Sequence, residues 1–312
     1  MQPLWPNPNH PMRIGTRGSP LALAQAHQTR RRLIEMHGFT EDSFDIIVIK
    51  TSGDRIQDRP LREVGGKGLF TKEIEEALLE NRLDIAVHSM KDMPVDQPEG
   101  LVLDCYLPRE DPRDAFLSPV VEHLNDLAAG SLVGTSSLRR RAQILYKRPD
   151  LKVVEFRGNV QTRLRKLDEG VAHCTFLAMA GLNRLGMEEA ANSPIALSDM
   201  LPAVAQGVIG IERREDNLAV KELLSPIHDF FTGYQMNAER AFLKALDGSC
   251  QMPIAALAEI KDDKMRLRGE ILRPDGSERL AHELHGDVDD ATDMGKKLAA
   301  VLLENAGQNF FD

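Results

Sequence analysis

The chain contains 312 residues, enough for two or three domains that each have a hydrophobic core. Acidic residues (48) outnumber basic residues (39), and the net charge of −9 argues against a general nucleic-acid-binding protein. The sequence has no apolar stretch of about 18 residues, the length that a transmembrane helix needs. We therefore expect a soluble cytoplasmic protein that has no membrane partner.

An anion-binding site is predicted at the first strand-to-helix turn. Residues 12–16 predict a strand, Arg17 and Ser19 occupy the turn, and Pro20 begins a helix that ends before Gly38. The free backbone N–H groups at the start of a helix attract anions, and Arg17 adds a full positive charge. The alternative is a well-capped helix with Ser19 as its N-cap and a solvated arginine.

A glycine-rich loop follows the second predicted strand. Three glycines surround Lys67 in the segment Val64–Gly68, and such a backbone can move while it carries a cation at its tip. The segment lacks the Walker A pattern of phosphate-binding loops. We interpret it as a candidate lid, with an ordinary flexible loop as the alternative.

The segment Asp84–Pro94 predicts a buried strand and its polar end. The apolar start gives way to Lys91 and Asp92, which places a cation and a carboxylate at the rim of a sheet, where α/β proteins usually bind ligands. If the chain stays extended, these two side chains point to opposite faces and contact different parts of a ligand. The alternative is a turn closed by Asp92, with Lys91 in solvent.

Residues 131–166 form a basic segment in an acidic chain. They contain ten lysines and arginines against two acids, a local charge of +8. Arg139, Arg140, Arg157 and Arg163 come shortly after predicted strands, at or near the start of helices. Two helix N-termini with nearby arginines predict a ligand that carries several carboxylates or phosphates. Solvated helix faces and a nucleic-acid surface are the alternatives.

The three cysteines differ in their predicted surroundings. Cys105 and Cys174 lie in apolar stretches that predict buried strands, where a thiol packs as a small hydrophobic group. Cys250 lies in the polar turn Asp247–Pro253, where a thiol is accessible to reactants. None of them has CxxC spacing, so we predict neither a disulfide framework nor a metal site.

Two crossings that contain proline, at residues 108–114 and 201–207, divide the β/α pattern. A double connection predicts two β/α lobes around a cleft, as in periplasmic-type binding proteins, and the short crossovers of the second lobe predict a parallel sheet. The predicted parts of this α/β fold are a flexible proline-rich tail (1–11), a first domain (12–107 and 206–226), a second domain (113–201) and a smaller α/β domain with an antiparallel three-stranded sheet (229–312).

The chain resembles the hydroxymethylbilane synthase (porphobilinogen deaminase) family from about Met12 to the C-terminus. The segments that carry the resemblance are Arg13–Ala22, Val64–Phe70, Asp84–Pro94, Arg109–Asp114, Gly134–Arg140, Arg157–Asn159, Ala180–Gly186 and Cys250–Pro253. The resemblance implies a monomeric transferase that joins four porphobilinogen molecules head to tail, releases four ammonia and yields hydroxymethylbilane for haem biosynthesis. It also implies a dipyrromethane cofactor attached to Cys250 through a thioether.

The same resemblance implies roles for individual residues. Asp92 matches the catalytic carboxylate, and Lys67 belongs to a mobile loop over the cleft. The cofactor-binding residues that it implies are Lys91, Ser137, Arg139 and Arg140, and the substrate-binding residues are Arg17, Ser19, Arg157, Arg163 and Arg184. The chain departs from the family pattern at Glu63, Ala205, Ser249 and Ala255, and none of these changes removes a group that the chemistry needs.

Two other functions fit parts of the sequence. A bilobal protein that binds a small polyanion without chemistry fits the same fold. Cys250 argues against this alternative, because a binding protein has no use for an accessible cysteine in a third domain. Nucleic-acid binding through residues 131–166 predicts an association that weakens steeply with salt.

Overall fold

The computed structural model describes residues 5–55, 68, 70–248, 252–307 and 310–311. The helices are α1 (Pro20–His37), α2 (Ser52–Arg55), α3 (Lys72–Leu79), α4 (Leu138–Lys147), α5 (Val160–Asp168), α6 (Met179–Leu185), α7 (Leu218–Leu224), α8 (Phe230–Ala245) and α9 (Ala291–Asn305). The strands are β1 (Met12–Thr16), β2 (Phe44–Val48), β3 (Ile85–Ser89), β4 (Leu101–Tyr106), β5 (Asp114–Leu117), β6 (Leu132–Gly134), β7 (Lys152–Val154), β8 (Cys174–Ala178), β9 (Ser193–Pro194), β10 (Ile209–Arg214), β11 (Ile254–Lys261), β12 (Lys264–Leu272) and β13 (Arg279–Asp287). Within these described residues, no helix has the length and apolar character needed to span a bilayer.

The chain divides into two compact units. The first comprises residues 1–109 and 208–233, and the second comprises residues 110–207 and 234–312. The predicted second and third domains therefore belong to one compact unit. The division into three domains stays a prediction.

The first unit contains a five-stranded sheet in the order β2-β1-β3-β10-β4. β1 is parallel to β2 and β3, whereas β10 is antiparallel to both of its neighbours. Ile85 and Val87 of β3 belong to the same core cluster as Leu33 of α1, and Ala86 belongs to the cluster that contains Leu78 of α3. Successive strand residues thus face opposite helical layers, so both faces of the sheet are buried.

β3 ends in a 3-10 turn, Met90–Asp92. The extended geometry that we considered for the two charged residues of this turn is therefore not present. The Met90 N–H donates to the carbonyl of Val208 over 3.0 Å, and a Cβ added at Gly210 would lie only 2.2 Å from Met90 Sδ. The absence of a side chain at Gly210 is what lets the turn pack directly on β10.

The second unit contains a five-stranded sheet in the order β7-β6-β8-β5-β9. The three strands that the sequence predicts here, β6, β7 and β8, are parallel as expected, whereas β5 is antiparallel to β8 and β9, so the sheet as a whole is mixed. Strand β5 was not predicted, because it begins at Asp114 in the charged crossing. The carboxylate of Asp114 is buried beside arginines that lie 25 and 26 residues later in the chain.

The C-terminal part of the second unit is the predicted antiparallel sheet, in the order β11-β12-β13. The turn between β11 and β12 contains Asp262 and Asp263, both with positive φ (52° and 57°), as a tight hairpin requires. Leu201 packs with Ala255 and Leu257 in a shared buried cluster, which joins the second crossing to β11. The predicted α/β class, with two β/α sheets and a three-stranded antiparallel sheet, is confirmed.

The described part of the N-terminal tail has defined contacts. Asn7 and His10 pair through backbone hydrogen bonds of 3.2 and 3.0 Å, and Trp5 packs against the core of the first unit. The prediction of a flexible tail rested on proline content and did not take the apolar surface of Trp5 into account.

Candidate functional site

A pocket of about 70 Å³ lies in the first unit, where β1 and β3 end. It is bounded by the β1–α1 turn, the end of β3, the 3-10 turn that follows β3 and residues 70–71. Its polar lining residues are Arg17, Ser19, Gln25, Thr71, His88, Ser89 and Asp92, and its apolar ones are Leu21, Ala22, Phe70, Val87 and Met93. The pocket thus brings together the first turn and the Asp84–Pro94 segment, two of the predicted ligand sites.

The β1–α1 turn is built as the sequence predicts. Ser19 is the N-cap, and its hydroxyl accepts a hydrogen bond of 3.2 Å from the Ala22 N–H. The Arg17 guanidinium lies over the Phe70 ring, 4.1 Å from its centre, where the electron-rich face attracts a cation. Arg17 is half-buried and is therefore not the solvated arginine of the alternative interpretation.

Asp92 and Lys91 lie side by side in the 3-10 turn. The Asp92 side chain is exposed and borders the pocket, and Lys91 is half-buried. The buried Gln25 of α1 donates a hydrogen bond of 2.7 Å to the Ser89 hydroxyl. This bond ties α1 to the end of β3 and so holds the two walls of the pocket together.

The second unit has a buried charge cluster around Asp114. Arg139 and Arg140, both from α4, each donate a hydrogen bond of 2.7 Å to the Asp114 carboxylate. Burial alone would raise the pKa of Asp114, but the two arginines more than offset it and hold the pKa well below its usual range. Gln206 adds a third donor at 2.9 Å. Two predicted cofactor ligands therefore also have a structural role that the sequence analysis missed.

The two arginines are not fully satisfied by these contacts. Arg139 also donates to the Leu201 carbonyl over 2.9 Å, and Arg140 to the Phe176 carbonyl over 2.6 Å. In the described part of the chain, however, the buried Nε atoms of both arginines have no hydrogen-bond partner. Ser137 is the N-cap of α4, and its hydroxyl accepts a hydrogen bond of 3.4 Å from the Arg140 N–H. The start of α4 thus carries two buried donors without acceptors, which is unusual in a folded protein.

Arg157 and Arg163 flank the start of α5. Both side chains are half-buried, and Arg163 Nε donates to the Gly158 carbonyl over 2.9 Å. The Arg157 carbonyl accepts a hydrogen bond of 3.0 Å from Lys166 Nζ. These contacts hold the loop that carries Arg157 against α5, which carries Arg163.

Arg184, the last of the predicted substrate-binding residues, lies in α6. Its guanidinium donates to the Gly207 carbonyl over 2.8 Å, at the second crossing. Burial lowers the pKa of Arg184 to about 10, while the nearby Glu110 carboxylate opposes this shift. Arg184 thus holds a largely buried positive charge.

The structure describes two of the three cysteines, and Cys105 and Cys174 are both buried in strands, as the sequence predicts. Burial raises the pKa of both Cys105 and Cys174 to about 12, so neither thiol is reactive near neutral pH. Cys250 and Lys67 lie outside the described residues. No group of three or more side chains able to hold a metal ion occurs in the described ranges.

Sequence reasoning did not single out several pocket residues. Gln25 and His88 lie among apolar residues of a helix and a strand, where a single polar residue gives no pattern, and Phe70 was noted only as part of a motif. Asp114 of the second unit was likewise noted only as part of the charged crossing. No spacing in the sequence links it to the paired arginines of α4, because only the fold brings β5 beside α4.

Comparisons with known proteins agree with the predicted family. The family model described as "Porphobilinogen deaminase, dipyromethane cofactor binding domain" matches residues 12–222, and the model of the porphobilinogen deaminase C-terminal domain matches residues 234–304. The chain is 62% identical over 307 residues to porphobilinogen deaminase of Paracoccus denitrificans (strain Pd 1222), with 98% of both chains covered. It is 54% identical over 306 residues to the chloroplastic porphobilinogen deaminase of Oryza sativa subsp. japonica, covering 96% of this chain and 86% of the rice protein.

The solved structures that match the chain include two described as methionine-binding. A putative methionine-binding lipoprotein from Bacillus subtilis matches with a TM-score of 0.42 and 13% identity, covering 71% of this chain and 91% of the lipoprotein. The methionine-binding protein MetQ matches with a TM-score of 0.41 and 16% identity, covering 75% and 93% of the two chains.

The α/β sheets and the matched cofactor-binding domain define a transferase that works with a dipyrromethane cofactor. The chain belongs to the porphobilinogen deaminase family. Its activity is that of a hydroxymethylbilane synthase in tetrapyrrole biosynthesis, as the sequence analysis predicted.

Proposed function

We propose that Asp92 is the catalytic carboxylate and that the pocket beside it binds the reacting pyrrole ring of porphobilinogen. The observation that carries this proposal is the exposed Asp92 side chain on the wall of a pocket that Arg17 and Ser19 also line. An anion next to a cation and a capped helix N-terminus suits a substrate that has carboxylates and develops positive charge during the reaction.

The chemistry explains why a carboxylate is needed at this place. The C–N bond of the protonated aminomethyl group of the substrate breaks, and its electron pair leaves with neutral ammonia. The remaining azafulvene is a cation, which Asp92 stabilises through the pyrrole N–H. When the new C–C bond forms, the attacking ring carbon loses a proton. Asp92 accepts this proton and the released ammonia takes it up, so charge and atoms balance.

The basic residues bind the acetate and propionate groups of the pyrrole rings in this proposal. Arginine suits this task, because its planar guanidinium forms paired hydrogen bonds with a carboxylate. The residues assigned to the substrate are Arg17, Ser19, Arg157, Arg163 and Arg184, and those assigned to the cofactor are Lys91, Ser137, Arg139 and Arg140. Lys67 belongs to a lid that covers the bound rings.

The start of α4 fits the dipyrromethane cofactor. Arg139 and Arg140 each have a buried Nε donor that lacks an acceptor in the described part of the chain, and Ser137 caps the same helix. Carboxylates of the cofactor would supply the missing acceptors. When bound, dipyrromethane supplies the ring carbon to which the first porphobilinogen is joined.

We assign the covalent attachment of the cofactor to Cys250, through a thioether. The high pKa and burial of Cys105 and Cys174 support this assignment, since neither can supply a thiolate. We further propose that the enzyme is a cytoplasmic monomer that binds neither nucleic acid nor membranes. Part of the basic segment that suggested nucleic acid is neutralised inside the unit, because Arg139 and Arg140 pair with Asp114.

The intact mass of the purified protein tests the covalent attachment. The native chain should carry the added mass of two linked pyrrole units, and the Cys250→Ala variant should not. An unmodified native chain that stays unmodified after incubation with porphobilinogen would contradict the proposal.

The Asp92→Asn variant tests the catalytic assignment separately. It should retain the cofactor mass, because Cys250 is unchanged, and should lose activity by roughly 100-fold or more, the usual contribution of a positioned acid–base group. Glu99→Gln, an exposed carboxylate seven residues later, is the matched control and should keep full activity. Equal activities of the two variants would remove Asp92 from the mechanism.

A further inference from the structure

A buried group of ionisable side chains lies directly behind the pocket. His88 of β3 lines the pocket and is buried, and its Nε2 lies 3.1 Å from Oε2 of Glu212 on β10. The Glu212 side chain is fully buried. His88 lies two residues from Ala86, which packs in the cluster beneath α3, and Ala86 is the register partner of Glu212. The imidazole and the carboxylate therefore share the face of the sheet that α3 covers.

α3 adds a second buried carboxyl to this face. Glu75 lies among the buried residues of α3, next to Ile74 and two residues before Ala77. Burial raises the pKa of Glu75, the Glu212 carboxylate raises it further, and the Thr71 side chain and His88 oppose the shift. Both Glu212 and His88 thus act electrostatically on Glu75, so the three side chains form one buried cluster.

One oxygen of this cluster has no donor. Glu212 Oε2 accepts from His88, but Oε1 is buried and has no hydrogen-bond partner in the described ranges. A buried carboxylate oxygen without a donor is costly. A protonated carboxyl is itself an O–H donor, so a neutral Glu75 could donate a hydrogen bond to Oε1 of Glu212.

We propose that Glu75, His88 and Glu212 form a proton-holding cluster in which Glu75 carries a proton that it donates to Glu212, while Glu212 also accepts a hydrogen bond from His88. His88 then carries its ring proton on Nε2 and is held in one orientation on the wall of the pocket. Glu75 and Glu212 are positioning residues for this wall. The inference rests on the proposed function only in taking the pocket as the place of the reaction.

The proton on Glu75 keeps one of the two buried carboxyl groups next to the pocket neutral. If Glu75 lost this proton, two buried carboxylates would lie beside a pocket that binds a substrate with carboxylates of its own, and they would repel it. The other charged groups that face this region are Glu76 of α3, Asp92 of the 3-10 turn and Arg17 of the β1–α1 turn. Arg213, next to Glu212 in β10, is neutralised by Asp104. Loss of the proton should therefore lower kcat/KM as the pH rises.

Infrared spectroscopy of the holoenzyme tests the protonation state without relying on turnover. The native protein at neutral pH should have a C=O stretching band of a protonated carboxyl that is missing from Glu75→Gln and retained in Glu76→Gln, an exposed neighbour on the same helix. Should Glu75→Gln fail to fold, the band can be followed in the native enzyme alone while the pH is raised. A native spectrum without this band at neutral pH would overturn the proposal.

The pH profile of kcat/KM for porphobilinogen tests the link to the pocket. A glutamine at position 75 keeps an N–H donor to Glu212 but cannot lose a proton, so Glu75→Gln should keep its kcat/KM to higher pH than the native enzyme. An unchanged profile in Glu75→Gln, together with a present infrared band, would mean that the cluster only supports packing. An inactive Asp92→Asn variant does not affect either outcome, so failure of this inference is distinguishable from failure of the proposed function.

Discussion

Asp114 illustrates how much one buried residue can organise. Asp114 is the first residue of β5, and its carboxylate accepts hydrogen bonds from Arg139, Arg140 and Gln206. These bonds join α4 to the sheet of the second unit. The buried Glu270 carboxylate also attracts Arg139, so Asp114 is the carboxylate that both arginines share rather than the only negative charge near them. The cluster should therefore be sensitive to loss of Asp114.

Asp114→Asn should destabilise the protein by about 3–5 kcal/mol at neutral pH, because it removes the carboxylate to which both buried guanidinium groups are hydrogen-bonded. The pKa of Asp114 is depressed in the folded state, so its contribution is present above the ordinary pKa of aspartate, about 3.9, and is lost as acid protonates the folded protein. Urea unfolding at several pH values measures this, and the difference between native and variant should shrink in acid.

The matched control for this prediction is Asp150→Asn. Asp150 pairs with Arg148 near the surface of the same unit, where solvent screens the charges, so its removal should change stability little. If both variants lost the same stability, burial of the Asp114 cluster would have no energetic consequence.

Ala205 departs from the family pattern at a position that favours glycine. Its φ is +61°, in the left-handed region that an alanine Cβ disfavours. Ala205→Gly should relieve this strain and raise the free energy of unfolding by roughly 0.5–1 kcal/mol, after the greater flexibility of glycine in the unfolded chain is subtracted. Ala203→Gly, in the same crossing but without a positive φ, should lower stability. Thermal unfolding of both variants separates the two effects, and equal losses would exclude strain at Ala205.

At the scale of elements, the 3-10 turn after β3 decides where the proposed catalytic carboxylate lies. A strand that continued through residue 92 would send alternate side chains to opposite faces. The turn instead places Asp92 on the pocket, and it is held by a backbone hydrogen bond to Val208 and by the close approach of Met90 to Gly210.

Gly210→Ala should therefore displace the turn. The new Cβ would lie 2.2 Å from Met90 Sδ and 2.8 Å from Leu103 Cδ2, both in a packed interior. We expect a loss of about 1–3 kcal/mol in stability and a fall in kcat larger than the change in KM, because the reacting group rather than the binding of the substrate is moved. Urea unfolding and steady-state kinetics measure the two effects.

The cause of these losses can be checked with a second substitution. Met90→Ala makes room for the new Cβ, so the double variant should recover part of the kcat that Gly210→Ala loses. A double variant no better than the sum of its parts would show that Met90 does not transmit the displacement.

At the scale of the whole molecule, single buried groups join parts of the chain that lie far apart in sequence. Glu239 of α8 accepts the Ala205 N–H over 2.7 Å and the Ala258 N–H over 2.8 Å. Gln143 of α4 likewise contacts Glu270 of β12, inside the second unit. These contacts explain why the five-stranded sheet of residues 110–207 and the C-terminal three-stranded sheet belong to one compact unit.

Glu239→Gln should loosen the second crossing and β11 together. The amide nitrogen cannot accept a hydrogen bond, so one of the two backbone N–H groups loses its partner at a cost of about 1–3 kcal/mol. Hydrogen exchange should accelerate at Ala205 and Ala258. The exposed Glu304→Gln is the control, and unchanged exchange at both amides in Glu239→Gln would contradict the joining role.

Local features of the molecule could be predicted from the sequence because they depend on neighbours in the chain. The span of α1, its Ser19 cap and its end at Gly38 follow from capping chemistry, and the strands β8 and β11–β13 follow from apolar patterns and turn residues. The family also follows from the sequence alone, because its motifs are contiguous.

Only the tertiary structure decided features that depend on distant partners. The strand that begins at Asp114 could not be predicted, because a charged residue is compatible with burial there only when Arg139 and Arg140 pair with it. The directions of β5 and β10 likewise depend on the strands with which they pair. His88 and Glu212 are 124 residues apart and gain a joint role only when β3 and β10 pair. Local conformational preferences depend on adjacent residues and can therefore be predicted from the sequence, whereas burial and charge pairing arise only after the chain has folded.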